Sequence, residues 1–393
     1  MLSVLRIARK SLGRAAMVLS TLALAACEPI ALTGGGGGGP AIDTTAPVPV
    51  ALLVPSGSGQ ASDELLSRSL QNAARLAISD LGDVRIDLRV YSTAGNPGQA
   101  AAMATKAVDE GAKIILGPVY AQEANAAGVA VANRGVNVLS FSNNSDIAGG
   151  NVFVLGPTFQ NTADRLAAYA VRQGTSRIMV VHDSTPAGTV GRNAIQQGVA
   201  RAGGSVAGTA AYEFSQNGIV AAVPGIASAA RANGAQALFL TATTDGALPL
   251  LTQLLRENGL GAETRFIGLT RWDIPPATAA LPGVQGAWFA MPDPGRYNQY
   301  QGRYQAAFAE PATPISGLAY DGIAAIGALV KQGRTNALTG SALTTGSGFV
   351  GVGGIFRLRG DGTNERGLAV AQIRNNQVVI VDNAPTSFAG AGF

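Results

Sequence analysis

Short apolar runs alternate with longer stretches of helical periodicity from residue 48 onward. Parallel strands need a crossover of about a dozen residues or more between them, and a helix of this length supplies it. Sheets connected in this way are covered by helices on both faces, so their strands read as continuous apolar runs. The sequence therefore predicts an α/β fold with two doubly wound, parallel-sheet lobes joined by a hinge.

The N-terminus carries the pattern of a secretory signal. Four basic residues precede an apolar run over residues 15–26, which is too short to cross a bilayer as a stable helix. The Leu-Ala-Ala-Cys sequence that ends at Cys27 resembles the lipobox of bacterial lipoproteins. That resemblance implies cleavage before Cys27 and lipidation of its side chain; an ordinary signal peptide with a chance cysteine is the alternative. The expected location is the cell envelope, lipid-anchored and facing the periplasm.

Residues 34–39 are six consecutive glycines, and three prolines follow them by residue 49, which predicts a flexible tether and then a stiffer stretch. No strand precedes the glycines and no helix follows at once, so they do not match a phosphate-binding loop. Glu28 follows Cys27. In the lipoproteins that the motif resembles, Asp is the better-known inner-membrane signal here, so Glu28 favours the outer membrane.

The predicted domain organisation divides near Gly156-Pro157 and has five parts. They are residues 1–26 as signal peptide, 27–47 as lipidated cysteine and tether, 48–157 as first lobe, 158–290 as second lobe, and 333–393 as C-terminal strands that close the lobes. The chain is expected to return to the first lobe at about residues 291–332. Within the C-terminal strands, Asn375-Asn376 is typical of a β-hairpin turn.

Charge and cysteine content exclude several kinds of site. The signal segment holds four of the 28 Lys and Arg residues and none of the 24 Asp and Glu, so the remainder carries 24 of each. A formal charge near zero gives no basis for a nucleic-acid partner. Cys27 is the only cysteine and His182 the only histidine, so neither an intramolecular disulfide nor a nitrogen and sulfur zinc site can form. No metal and no cofactor are expected.

The sequence also lacks the motifs of common enzyme sites. It contains no Gly-x-Ser-x-Gly, no Ser-x-x-Lys and no Gly-Lys pair. A Ser-His-Asp triad would have to use His182, and no activated-serine context accompanies it. The protein is therefore predicted not to be an enzyme.

Four segments carry a resemblance to a known family. They are VALLVPSGSG at 50–59, ILGPVYAQEANAAGVAVANRGVNVLSFSNNSD at 115–146, LAYDGIAAIGALV at 318–330 and GFVGVGGIFRLRGDGTNERGLAVAQIRNNQVVIVD at 348–382. In order and spacing they resemble the type I periplasmic binding proteins, and more narrowly the leucine-binding group, over about residues 47–382. The resemblance implies two lobes that close over whatever lies between them, and a structural role for Tyr320-Asp321.

Ligands of open parallel sheets bind beyond the carboxyl ends of the strands, where helix N-termini offer unpaired N–H groups. The candidate cleft residues are those that follow the predicted strands. They are Tyr120, Gln122, Ser142, Asn143 and Asn144 in the first lobe, and His182, Asp183, Ser184, Thr244, Asp245 and Trp272 in the second. Two alternatives stay open: His182 as a structural, hydrogen-bonded residue, and Trp272 as a packing aromatic.

In the amino-acid binders of this group, hydroxyl residues at the first two turns hold the ligand carboxylate, and a second-lobe acid helps to hold the amino group. Ser142, Asn143 and Asp245 match part of that pattern. Tyr120 opens a turn where a Ser/Thr cluster is expected, and Ala187 stands where an aromatic residue is often found. A bulky Tyr120 is expected to fill part of the pocket.

Two non-catalytic functions follow from these resemblances. The first is an activator of peptidoglycan synthases (penicillin-binding proteins), because the lipobox, the Gly/Pro tether and the altered pocket resemble the lipoprotein activators of those enzymes. This chain lacks the N-terminal helical-repeat domain of the long activators. The alternative is a solute-binding receptor that hands a branched-chain or similar amino acid to the permease of an ABC transporter. The activator is the preferred hypothesis, and the cleft discriminates between the two.

Overall fold

The structure is a computed structural model that describes residues 40–389. Cys27, the signal segment and the glycine run lie outside the described residues. The first sheet has five parallel strands in the order β2-β1-β3-β4-β5. These strands are β1 (Val48–Val54), β2 (Ile86–Ser92), β3 (Ile114–Leu116), β4 (Asn137–Ser140) and β5 (Val152–Val154). The inner strands are buried on both faces, as parallel sheets require.

Helices cover both faces of this first sheet. They are α1 (Ala61–Ser79), α2 (Pro97–Asp109) and α3 (Ala121–Val131), with the later α8 (Pro294–Phe308), α9 (Gly317–Val330) and α10 (Gly340–Leu343). Side chains of α8, α9 and α10 share one core with the first sheet, so the first lobe includes this later part of the chain. Gly322 brings α9 close to the sheet, because a Cβ there would stand 2.6 Å from Leu116 Cδ2.

The second sheet has seven strands in the order β15-β14-β10-β9-β8-β6-β7. They are β6 (Arg177–Asp183), β7 (Ser205–Tyr212), β8 (Ala237–Leu240), β9 (Arg265–Gly268), β10 (Trp288–Met291), β14 (Ala369–Arg374) and β15 (Gln377–Asp382). Strands β6 to β10 pair in parallel, whereas β14 and β15 pair antiparallel with their neighbours. The helices of this second lobe are α4 (Phe159–Arg172), α5 (Pro186–Arg201), α6 (Gln216–Ala232) and α7 (Leu248–Glu257).

The C-terminal part of the chain contributes to two sheets. A separate antiparallel sheet is formed by β11 (Phe349–Gly351), β12 (Gly354–Leu358) and β13 (Asn364–Arg366). The last two strands join the second lobe as a hairpin. Asn375 and Asn376 form its turn with φ values of 50° and 63°, the positive values that a type I′ turn requires. The predicted α/β class, with parallel sheets covered by helices, is confirmed.

Three chain segments cross between the lobes: residues 155–158, 292–293 and 367–368. Buried hydrogen bonds anchor the first and third of these segments. Asn364 Nδ2 donates to the carbonyls of Val154 (2.7 Å) and Gly156 (2.9 Å), and Arg165 Nε donates to the Leu368 carbonyl (2.7 Å). At the first crossing, a capping box between Thr158 and Asn161 begins α4. Specific partners therefore anchor the first and third crossings where they leave the lobes.

A buried ion pair lies against these crossings. Arg366 Nη1 is 3.3 Å from Asp321 Oδ2, and their side chains are only 8% and 2% exposed. Asp321 also accepts a hydrogen bond from the Val352 amide (2.7 Å), and Arg366 Nε donates to the Leu155 carbonyl (2.9 Å). Burial raises the pKa of the Asp321 carboxyl, although the charge of Arg366 and the Val352 amide oppose the shift. Asp321 thus has a structural role.

Removing one partner of this pair leaves the other charge buried without compensation. We expect Arg366→Met to lower the free energy of unfolding by about 3–5 kcal/mol, and the double variant Arg366→Met/Asp321→Asn to recover most of that loss. Urea unfolding measures both. The control is Arg359→Met, which breaks a more exposed pair with Glu365 and should cost about 1 kcal/mol or less. Equal losses for Arg366→Met and Arg359→Met would contradict the assignment.

Candidate inter-lobe binding site

The loop before α3 holds Tyr120 against the first turn of α1. Tyr120 is the N-cap residue of α3, and its hydroxyl donates to Asp63 Oδ1 over 2.5 Å. This hydrogen bond, followed by partial burial, raises the pKa of Tyr120 to about 12, so the phenol keeps its proton at neutral pH. The ring is 42% exposed, and it occupies the turn where hydroxyl residues were expected.

A second acid lies one turn further along α3. Glu123 is 1% exposed; its Oε1 accepts from Thr93 Oγ1 (3.0 Å), and its Oε2 has no hydrogen-bond partner. Burial raises the pKa of Glu123, the Thr93 hydrogen bond opposes this, and the like charge of Asp63 adds to it. The Asp63 carboxylate behind Tyr120 makes this turn unfavourable for a ligand carboxylate.

The other first-lobe candidates occupy three different environments. Gln122 is exposed on α3. Ser142 is buried and shapes the turn after β4, because its Oγ accepts from the Asn144 amide (3.1 Å) and its carbonyl accepts from the Gly156 amide (3.1 Å). Asn143 and Asn144 are exposed and line a polar cavity. Ser142, Asn143 and Asn144 follow β4 and Gln122 lies on α3, so these candidates do not converge on one point.

His182 and Asp183 end β6 and have local hydrogen-bond partners. His182 Nδ1 lies 2.8 Å from the Asp183 carbonyl oxygen. The Asp183 carboxylate accepts from the Thr185 amide (3.0 Å) and from Thr241 Oγ1 (3.1 Å), and Thr185 in turn caps α5. Both side chains are buried. This geometry corresponds to the structural alternative for His182, and it gives Asp183 the role of ordering a helix start.

The remaining second-lobe candidates separate into exposed and buried residues. Ser184 and Asp245 are exposed, and Thr244 Oγ1 donates to the Ile274 carbonyl (2.7 Å). Trp272 is fully buried in the second-lobe core and does not line the space between the lobes. Gly268 makes room for its indole, since a Cβ at that position would stand 2.3 Å from a ring carbon. Of the two alternatives for Trp272, a cleft residue or a packing aromatic, its position corresponds to the packing aromatic.

A polar cavity of about 710 Å³ lies between the lobes on the side of α5. The loop after β4 lines it from the first lobe, and α4, α5 and residues 359–365 contribute the rest. Its charges are largely paired: Arg201 Nη1 is 2.8 Å from Asp164 Oδ2, and Arg359 pairs with Glu365. Burial raises the pKa of Asp164, although Gln160 and Arg201 oppose the shift.

An apolar cavity of about 290 Å³ lies between the lobes at the crossing segments. It is lined by residues from all three crossings, from the loop after β9 and from the start of α9. Sequence reasoning missed it because its walls come from segments far apart in the chain. The available signal was the proline that marks two of the crossings, at Pro157 and Pro292.

The protein thus has two lobes built on largely parallel sheets, three chain crossings between them and cavities that both lobes line. A family model for the periplasmic binding proteins matches residues 47–377. The chain belongs to the periplasmic binding protein family. The resemblance to the type I, leucine-binding-protein-like members is confirmed. The sequence matches none of the curated proteins with which it was compared.

Solved structures of periplasmic binding proteins share this fold at low sequence identity. A candidate branched-chain amino acid ABC transporter from Rhodospirillum rubrum superposes with a TM-score of 0.72 at 19% identity, covering 86% of this chain and 100% of the other. An ABC transporter substrate-binding protein from Desulfitobacterium hafniense in complex with Leu superposes with a TM-score of 0.63 at 17% identity, covering 86% of this chain and 100% of the other. A solute-binding protein of an ABC transporter from R. palustris in complex with benzoate superposes with a TM-score of 0.55 at 17% identity, covering 88% of this chain and 98% of the other.

Two further observations apply to residues 40–389 of this periplasmic binding protein. None of the helices in that range is long and apolar enough to span a membrane. Within the same range, His, Asp and Glu side chains form no group of three or more that could hold a metal ion.

The buried acid Glu123 should make stability depend on pH. Because its pKa is raised, the folded protein retains this proton at pH values where the unfolded chain, with an ordinary value of 4.5, has released it. Its contribution to stability is complete below that ordinary pKa and is lost as the pH rises through the higher pKa of the folded state. We therefore expect Glu123→Gln, which keeps an oxygen for Thr93, to gain stability relative to wild type as the pH rises.

Urea unfolding of both proteins between about pH 4 and about pH 8 measures this difference in free energy. The comparison with wild type at each pH removes the contributions of the other titrating groups. A difference that stays constant, or that shrinks with rising pH, would contradict a raised pKa at Glu123.

Proposed function

We propose that this protein is a non-catalytic solute receptor whose lobes close on a small organic molecule and present it to the permease of an ABC transporter. The observation that carries the proposal is the set of three crossing segments beside cavities that both lobes line. Lobes joined in this way close by rotation about a few crossing residues. A molecule that contacts both lobes favours the closed form by its differential affinity for it.

The structural neighbours support a small organic solute as the ligand. Those named above are described as a branched-chain amino acid transporter, a complex with Leu and a complex with benzoate. A branched-chain amino acid is therefore the first ligand to test. The acidic turn at Asp63 and Glu123 argues against a carboxylate held by the first lobe, so the receptor need not hold an amino acid in the manner of its relatives.

A thermal-shift screen of the purified protein against amino acids, benzoate and small uncharged alcohols tests the receptor function. A ligand at 100 times its Kd should stabilise the fold by about 2.7 kcal/mol, which raises the melting temperature by a few degrees. Small-angle X-ray scattering should then show a smaller radius of gyration, because the lobes close. A folded protein that shows no shift with any of these compounds or with a metabolite extract, and no change in radius, would contradict the proposal.

We propose further that the receptor is lipid-anchored through Cys27, with the outer membrane favoured. The lipobox-like sequence and the glycine tether support this placement. Cys27→Ser should abolish incorporation of an alkyne-labelled fatty acid and move the protein from the membrane fraction to the soluble envelope fraction. Glu28→Asp is the companion variant, since it leaves the cysteine intact and should change only the membrane in which the protein is found. Labelling that persists in Cys27→Ser would contradict the anchor.

A second function is favoured by one feature of the site. Tyr120, held by Asp63, occupies the first-lobe turn where a Ser/Thr cluster is expected, and a turn without that cluster suits a domain that binds proteins. The partner would then be a peptidoglycan synthase (penicillin-binding protein), with this lipoprotein as its activator. In-cell crosslinking of the anchored protein discriminates the two functions. Recovery of a synthase, together with a flat ligand screen, would favour the activator over the receptor.

A further inference from the structure

We infer that the molecule recognised between the lobes is uncharged and mainly apolar, and that it binds in the cavity at the crossing segments. This inference rests on the proposed receptor function and names the class of its solute. The cavity volume of about 290 Å³ lies near the lower limit of small-molecule sites, which run from about 300 to 1,000 Å³. A single ring or a short branched chain is the size of molecule that fits.

The position of this cavity couples it to the lobes. Thr158 lies on the first crossing, Pro292 on the second and Leu368 on the third, and all three line the cavity. Ile274 lines it from the loop after β9 in the second lobe, and Leu318 from α9 in the first. Rotation of one lobe against the other must therefore change the shape of the cavity. A molecule bound there contacts residues of both lobes and of all three crossings.

The charges at the cavity wall are already compensated. Three charged side chains line it: Asp321, Arg366 and Arg271. Asp321 and Arg366 pair with each other and are almost fully buried. Arg271 Nε lies 2.9 Å from Asp273 Oδ1. An amino acid would bring one charge of each sign into this wall, and both would replace water by groups that already have partners, at a cost in free energy.

The remaining polar groups of the wall are neutral hydroxyls. Thr158, Thr162, Thr270 and Tyr297 supply them, and the other lining residues are apolar or glycine. Burial raises the pKa of the Tyr297 hydroxyl, which keeps it protonated at neutral pH. Hydroxyls of this kind can donate to or accept from one alcohol or carbonyl group of a ligand. The wall thus matches an apolar body with one uncharged polar group.

Matched probes separate charge from shape. The first pair is 3-methylbutan-1-ol and leucine, which share a branched chain but differ in the charged head group. The second pair is benzyl alcohol and benzoate. Titration calorimetry on the purified protein should give a Kd at least tenfold lower for each uncharged member of a pair than for its charged partner. A lower Kd for leucine or for benzoate would overturn the inference while leaving the receptor function in place. Absence of binding by both alcohols would overturn it as well.

A matched pair of variants tests the location. Thr162 and Thr189 are each the fourth residue of a helix capped by a threonine, α4 and α5, and both are half-buried. Only Thr162 lines this cavity. We expect Thr162→Trp to weaken binding of the alcohols at least tenfold and Thr189→Trp to leave it within about twofold. Equal effects of the two substitutions would place the ligand elsewhere.

Two further variants keep the test decisive if Thr162→Trp fails to fold. Ile274 is half-exposed at the cavity, so Ile274→Trp narrows the cavity with little risk to folding and should also weaken binding of the alcohols. Leu65 on α1 is about as exposed as Ile274 and does not line this cavity, so Leu65→Trp should leave the Kd of benzyl alcohol within about twofold. A loss of alcohol binding in Leu65→Trp, or unchanged binding in Ile274→Trp, would count against an apolar ligand at this place.

Discussion

The buried pair of Asp321 and Arg366 connects parts of the chain that lie far apart in the sequence. Asp321 belongs to α9 in the first lobe, and Arg366 ends β13 directly before the third crossing. The guanidinium also donates to the carbonyl of Leu155 at the first crossing. Because an unpaired charge at this depth would cost several kcal/mol, the pair holds Leu155, the end of β13 and α9 together on the first-lobe side of the crossings. Asp321 and Arg366 also line the apolar cavity, so their pairing helps to set the shape of its wall.

The sequence predicts the fold well because the decisive signal is local. Apolar runs of strand length and helical periodicity each lie within a few turns of chain, and their alternation specifies parallel sheets. The last hairpin follows from Asn375 and Asn376, whose positive φ values suit this turn. Which sheet that hairpin joins depends on the pairing of β14 with β10, and this pairing is between residues about eighty positions apart.

The candidate site is less predictable from the sequence, for a physical reason. Residues after strands are candidates by position alone, but their partners decide their roles. Asp183 follows a strand and is used to order the start of α5. Trp272 follows a strand and packs into the core because Gly268 beneath it has no side chain. The apolar cavity has no sequence motif, because its walls come from the three crossings, the loop after β9 and the start of α9, which only the tertiary fold brings together.

The two acids near Tyr120 and the neutral wall at the crossings have a common consequence. At the first place Asp63 holds Tyr120 where the resemblance implies a ligand carboxylate, and the second place offers apolar groups and hydroxyls without a free charge. A ligand can shift the lobes only by binding one arrangement better than the other. For an apolar ligand that difference is the area removed from water when the walls approach. Because the three crossings form part of those walls, closure changes the buried area directly, and no charged contact is needed to couple binding to movement.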